Sequence, residues 1–222
     1  MKYLLMFLLF LSAPAFAEET MPVSQLPPLH VALLRDFSKW KVYDEAFGDL
    51  NGDGLKDAAA VLMLEPKDEE DSGSALLAVL FGEGKDFKLH AQSGGAICMN
   101  CGGAKAPQDT PLGKIAITDK GILTISYFGG SRTIFDVTTK WRYDKGYNRI
   151  TLIGETRIIT DTMGEYDTET FDINYATMKM EKRVGKQKKS CAVPKEMANQ
   201  EISGFDYIGR DDAIEKLEKA CE

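Results

Sequence analysis

The chain has 222 residues, 44% hydrophobic and 27% charged, with ordinary numbers of Gly and Pro, which excludes disordered, collagenous and small disulfide-scaffold proteins. A formal net charge of −7 argues against binding nucleic acid or anionic membrane surfaces through charge. Two histidines leave little room for histidine-based catalysis or metal chemistry.

Lys2 precedes an apolar run from Tyr3 to Leu11, then Ser12, Ala13, Pro14 and the small-x-small ending Ala15, Phe16, Ala17, which is the layout of a Sec-type signal peptide. The run is about half the ~20 residues that span a bilayer, so it reads as a cleaved segment and not an anchor. Cleavage after Ala17 leaves Glu18 first, where a lipoprotein would carry Cys. No later stretch approaches ~18 uncharged apolar residues. The expectation is a periplasmic or secreted protein with no transmembrane segment in the mature chain. Residues 1–17 form the signal peptide, 18–27 a Pro-rich flexible leader, and 28–222 one β-rich domain long enough to bury a substantial core.

From Pro28 to Trp40, Leu29, Leu33, Phe37 and Trp40 recur at helical spacing behind entry prolines, predicting an amphipathic helix. The period then changes. Ala58 to Leu64 and Ala75 to Phe81 are continuous apolar runs, short enough for strands buried on both faces and joined by an acidic connection from Glu65 to Ser74. Its Asp68 to Asp71 cluster is consecutive and reads as a solvated loop.

Beyond Gly84 the pattern is an antiparallel meander. Phe135, Val137, Thr139, Trp141 and Tyr143 alternate with polar residues, as do Leu123, Ile125 and Tyr127 upstream and Phe171, Ile173 and Tyr175 downstream. Asp119-Lys120-Gly121, Asp144-Lys145-Gly146 and the stretch Asp161 to Glu165 supply hairpin turns. The basic run Lys182 to Lys189 lacks the interleaved aromatics that stack bases and reads as a solvated loop. Asp211 is placed to cap a last helix with Ile214, Leu217 and Cys221 on one face. The fold class is therefore mainly β (α+β): an antiparallel β meander with an N-terminal helix and a short C-terminal helix.

Four cysteines, Cys98, Cys101, Cys191 and Cys221, remain after cleavage, and an even number in an oxidising compartment reads as two disulfides. Of three connectivities, Cys98–Cys101 with Cys191–Cys221 loses least chain entropy on closing. Two other readings compete. A four-thiolate zinc site prefers two close pairs, whereas Cys191 and Cys221 stand far apart. A thioredoxin-type pair opens a helix, yet Gly102 and Gly103 follow Cys101.

The chemistry lies in Gly48-Asp49-Leu50-Asn51-Gly52-Asp53-Gly54-Leu55-Lys56-Asp57. Oxygen-bearing side chains recur at every second position and Gly54 permits a sharp bend, which is what a Ca²⁺ ion needing six to eight oxygens requires of a short loop. Asp49, Asn51 and Asp53 would offer side-chain oxygens, Leu55 its carbonyl and Asp57 a closing carboxylate. An EF-hand wants Glu at its twelfth position, where Ala60 stands, so the loop is the shorter type closed by its ninth residue directly before a strand. The competing reading is an ordinary turn, since Asn51-Gly52 and Asp53-Gly54 are turn dipeptides. Against it, three crowded carboxylates repel one another unless a cation relieves them. His30 and His90 have no neighbour at metal-ligand spacing.

The string GDLNGDGLKDAAAVL resembles the calcium loop of integrin-type FG-GAP repeats. With ICMNCGG, GILTISYFGGS and YDKGYNRITLIGE it resembles a group of exported bacterial proteins carrying a single such loop, over roughly Trp40 to Tyr175. The resemblance implies a compact β-rich domain binding calcium. Propeller-forming repeats come in series, and here the loop occurs once.

The leading functional expectation is a non-catalytic exported module with one structural Ca²⁺ loop and a binding surface for another periplasmic or secreted protein. A periplasmic inhibitor or immunity protein, its acidic charge suited to a basic toxin or cell-wall enzyme, is the alternative. A carboxylate-dependent hydrolase is the third reading, disfavoured because no G-x-S-x-G elbow or H-E-x-x-H helix is present.

Overall fold

A computed structural model describes residues 27–65, 73–106 and 110–221. The expected signal peptide, nearly all of the expected leader and the Asp68 to Asp71 cluster lie outside the described residues. Helix α1 (Pro28–Asp36) begins with proline at its first position, where a missing N–H costs nothing. It buries Leu29, Ala32 and Leu33. The helix stops four residues before the predicted end. The chain turns over 37–40, Trp40 N donating to the Phe37 carbonyl, because it must reverse into strand β1 (Lys41–Gly48). Phe37 and Trp40 still pack on the same apolar cluster, so their helical spacing reports a shared face beyond the helix itself.

Strands β1, β2 (Asp57–Leu64), β3 (Ser74–Glu83) and β4 (Asp86–Ser93) form an antiparallel four-stranded meander in chain order. The continuous apolar runs are explained by cover on both faces. Ala58, Ala60, Leu62, Ala78 and Leu80 pack with α1, whereas Ala59, Val61, Leu77 and Val79 join the main core on the opposite face. Three consecutive alanines keep both faces of β2 smooth enough for close approach. The short strands β5 (Cys98–Met99) and β6 (Pro111–Leu112) pair with each other.

Seven strands form the second sheet, again in chain order: β7 (Lys114–Ile117), β8 (Ile122–Gly130), β9 (Thr133–Asp144), β10 (Arg149–Asp161), β11 (Glu169–Asn174), β12 (Lys179–Val184) and β13 (Gln187–Ala192). The expected alternation holds: Leu123, Ile125, Tyr127, Val137, Trp141, Phe171 and Ile173 point into the main core, while Asp136, Lys140, Arg142 and Asp172 are exposed. The three predicted turns each join consecutive strands.

The basic run is not a loop. It forms the β12–β13 hairpin, turning at Gly185 with φ of 55°. Its cations are paired, Lys182 with Glu169 across strands at 3.2 Å, Lys188 with Glu181 across the hairpin at 2.5 Å and Arg183 with Glu181 along β12 at 2.6 Å, and Lys182 also lies over the Phe171 ring. Lysines on such an outer strand oppose pairing with a further chain, which makes a charged segment compatible with an edge.

After β13 the chain crosses back over the core as a strap with three single 3₁₀ turns, burying Met197, Ile202 and Phe205, and ends in helix α2 (Asp211–Lys219). Asp211 is the first residue of that helix and Arg210 holds the cap position, a correction of one place that leaves Leu217 and Cys221 facing inward as expected. The cysteines pair as Cys98–Cys101 and Cys191–Cys221, with Cα separations of 6.0 and 5.4 Å. Among the described residues no helix is long and apolar enough to cross a membrane.

Candidate metal centre

The loop between β1 and β2 is closed by the register pair Gly48–Asp57. Inside it, side-chain oxygens fold back onto the backbone. The Asp49 carboxylate accepts from Gly52 N at 2.7 Å and Gly54 N at 2.9 Å, Asn51 Oδ1 from Asp53 N at 2.9 Å, and Asp53 Oδ1 from Leu55 N at 2.7 Å. Asn51 Nδ2 donates to Asp53 Oδ2 at 2.9 Å. Gly52 and Gly54 adopt φ of 74° and 83°, a left-handed backbone that side chains resist.

Asp57 stands apart from the other three. It is fully buried, and its two oxygens accept three backbone N–H groups: Leu50 at 2.7 Å, Asn51 at 3.2 Å and, from β3, Gly82 at 2.8 Å. Burial pushes its carboxyl above the usual range, the backbone donors oppose this, and the charge of Asp53 adds to the rise. The loop is wedged between elements. Leu50 sits in the main core, a Cβ at Gly82 would meet the Lys56 carbonyl at 2.4 Å, and one at Gly121 in the β7–β8 turn would meet the Asp49 carbonyl at 2.5 Å.

Counting lone pairs sorts the five predicted ligands. A carboxylate offers about four acceptor positions. Asp57 has three engaged, leaving room for one bond to a cation, whereas Asp49 and Asp53 each keep about two free and Asn51 Oδ1 one. Leu55 is exposed at the loop's outer turn. Among the described residues, no three His, Cys, Asp or Glu side chains stand already gathered for a metal. The donor set, all oxygen and rich in carboxylate, suits Ca²⁺ chemically.

The two histidines lie elsewhere. His30 Nε2 meets Glu45 at 3.1 Å on α1. His90 stacks on Phe81 at 4.0 Å with Tyr143 edge-on, and burial lowers its pKa.

A buried ionic cluster escaped the sequence reading. Glu155 receives Arg210 Nη1 at 2.7 Å, Arg157 Nη1 at 2.8 Å and the Tyr175 hydroxyl at 3.1 Å, and Arg210 Nη2 also donates to that hydroxyl at 3.0 Å. Burial alone would raise the Glu155 carboxyl, but Arg210 and Arg157 hold it below its ordinary value. The cause of its inward aim is a bulge between Leu152 and Gly154, which shifts β10 by one residue, so that Ile150 and Leu152 face the core before it and Glu155 after it. No family model, curated protein or solved structure matches the chain.

Proposed function

We propose that the protein is an exported, non-catalytic β-rich module in which the 49–57 loop takes one Ca²⁺ ion, and that ordering this loop steadies the joint between the two sheets and whatever binding surface they carry. The observation that carries the reading is the seat of the loop: Asp49, Asn51 and Asp53 keep acceptor positions free beyond their bonds within the loop, while Leu50 sits in the core, Asp57 is bonded to β3 and the Asp49 carbonyl lies close against the β7–β8 turn. The signal-peptide pattern and the paired cysteines support export. A bound cation would supply charge neutralisation for Asp49, Asp53 and Asp57.

Extracellular calcium modules bind at roughly 10⁻⁴ to 10⁻³ M. At about ten times the dissociation constant the added stability is RT ln 11, about 1.4 kcal/mol, or roughly 3–6 °C in melting temperature for a chain of this size. Millimolar Ca²⁺ is expected to raise the melting temperature by that amount over a chelated sample. Mg²⁺ should do much less because it demands a strict octahedron. Equal melting with Ca²⁺ and with chelator, together with no heat of binding by calorimetry, defeats the proposal.

A further inference from the structure

We propose that Cys191–Cys221 is an exchangeable latch whose reduction frees the C-terminal strap, residues 195–221, while both sheets stay folded. This goes beyond the calcium reading and does not depend on it.

The strap joins the two sheets and meets the seven-stranded ladder at one isolated antiparallel bridge, Thr151–Glu201. Toward the seven-stranded sheet, Leu152 N donates to the Gln200 carbonyl at 2.9 Å and Arg210 reaches Glu155. Toward the four-stranded sheet, Ser93 Oγ donates to the Phe205 carbonyl at 3.1 Å and Tyr207 N to the Gly95 carbonyl at 2.8 Å. Phe205 stands edge-on to Trp141 at 4.8 Å and Tyr207 stacks on Tyr127 at 3.7 Å. Past Arg210 the covalent tie is Cys221, bonded to Cys191 on β13 across a sequence separation of 30. Strand pairing from β7 to β13 and from β1 to β4 runs entirely through strands that precede the strap. Opening it would expose Met197, Ile202, Phe205 and Leu217, break the Thr151–Glu201 bridge and remove the guanidinium partner of Glu155, yet it would leave every strand pairing within the two sheets in place, so the covalent tie at Cys221 is what adds to this packing in holding the strap closed.

A reductant can reach the bond. Cys191 is half-buried and lines an open groove of about 700 Å³ with Asn174, Met178, Lys179, Met180 and Ser190, whereas Cys221 is buried. Lys179 lines that groove together with the carboxylates of Asp172 and Glu181. The co-reactant is a dithiol. One of its thiolates attacks Cys191 Sγ, the sulfur–sulfur bond breaks, and Cys221 leaves as a thiolate and takes a proton. The second thiolate of the reductant then displaces Cys191, which is protonated in turn, and the dithiol departs as a disulfide having given up two electrons and two protons. Closing a loop of this length biases the strap toward its closed form by a factor on the order of several hundred. Cys98–Cys101 closes only over Met99 and Asn100, outside the strap.

The test uses the full oxidised chain carrying Trp40→Phe, so that Trp141 is its only tryptophan, titrated with dithiothreitol and followed in parallel by alkylation mapping, tryptophan emission, tryptic cleavage and far-ultraviolet circular dichroism. The expected result is alkylation of Cys191 and Cys221, a red shift of Trp141 and at least hundredfold faster cleavage after Lys195, Arg210 and Lys216, with the sheet signal retained. Cys98→Ser/Cys101→Ser should respond in the same way. The proposal is overturned if Trp141 stays buried and the strap resists trypsin after both thiols are alkylated. It is equally overturned if the sheet signal is lost in the same step, or if the Cys98→Ser/Cys101→Ser variant no longer responds.

Discussion

Replacing Asp57 by alanine separates two roles that a ligand list would merge. The carboxylate accepts N–H groups from Leu50, Asn51 and Gly82, and Leu50 and Gly82 lie at buried hydrogen bonds. Alanine leaves those two donors unsatisfied, at about 1–3 kcal/mol each, and water reaching the more open Asn51 limits the rest. Relief of a buried carboxylate with a raised pKa offsets part of the loss, so the net cost is about 2–4 kcal/mol, or roughly 4–16 °C in melting temperature. This loss should appear in chelator, with no calcium present. Asp53→Ala is the contrast. Its oxygens are exposed and, among the described residues, bond Leu55 N and Asn51 Nδ2, so in chelator it should melt within about 1 kcal/mol of wild type while losing most of the Ca²⁺ response. Scanning calorimetry of both variants with and without calcium decides the matter. If Asp57→Ala in chelator melts like wild type, the carboxylate does not anchor the loop, and a full calcium response in Asp53→Ala removes that residue from the site.

Glu155→Gln should cost about 3–5 kcal/mol at neutral pH, since Arg210 and Arg157 would be left without their counter-charge. Because the folded state holds Glu155 below its ordinary value of 4.5, the unfolded chain takes up that proton first, and the stabilisation is complete above that value and lost as pH falls from it toward the lowered one. Urea titrations between pH 7 and 3 should therefore show wild type losing stability more steeply than the variant, and parallel curves would refute the assignment. Gly82→Ala should destabilise by about 1–3 kcal/mol, because its Cβ would strike the Lys56 carbonyl; a neutral result in thermal melts would mean that the contact yields easily.

The mainly β class, the paired cysteines, the two apolar central strands and the hairpin turns were legible in the sequence because each rests on short-range periodicity or spacing. Phe135 to Tyr143 alternates whatever lies beyond it, and Asp144-Lys145-Gly146 turns wherever it is placed. Strand β1 was missed because Lys41 to Gly48 mixes exposed Tyr43 and Glu45 with only half-buried Val42 and Ala46, a weak alternation on an outer strand. Charge disguised the β12–β13 hairpin, whose cations are neutralised by Glu169 on the neighbouring strand β11 and by Glu181 within the hairpin. Which strands share a sheet, and that α1 covers one face of β2 while the second sheet covers the other, depended on contacts between distant segments that no local period records. The same holds at the loop and the ionic cluster. Alternating oxygens at 49–57 were written in the chain, but the turning of Asp57 inward onto Gly82 was set by β3, and Glu155 was brought to Arg210 by a one-residue bulge together with a strap that folds back from 55 positions away. Local propensity sets which face a side chain prefers, and only tertiary packing decides what that face meets.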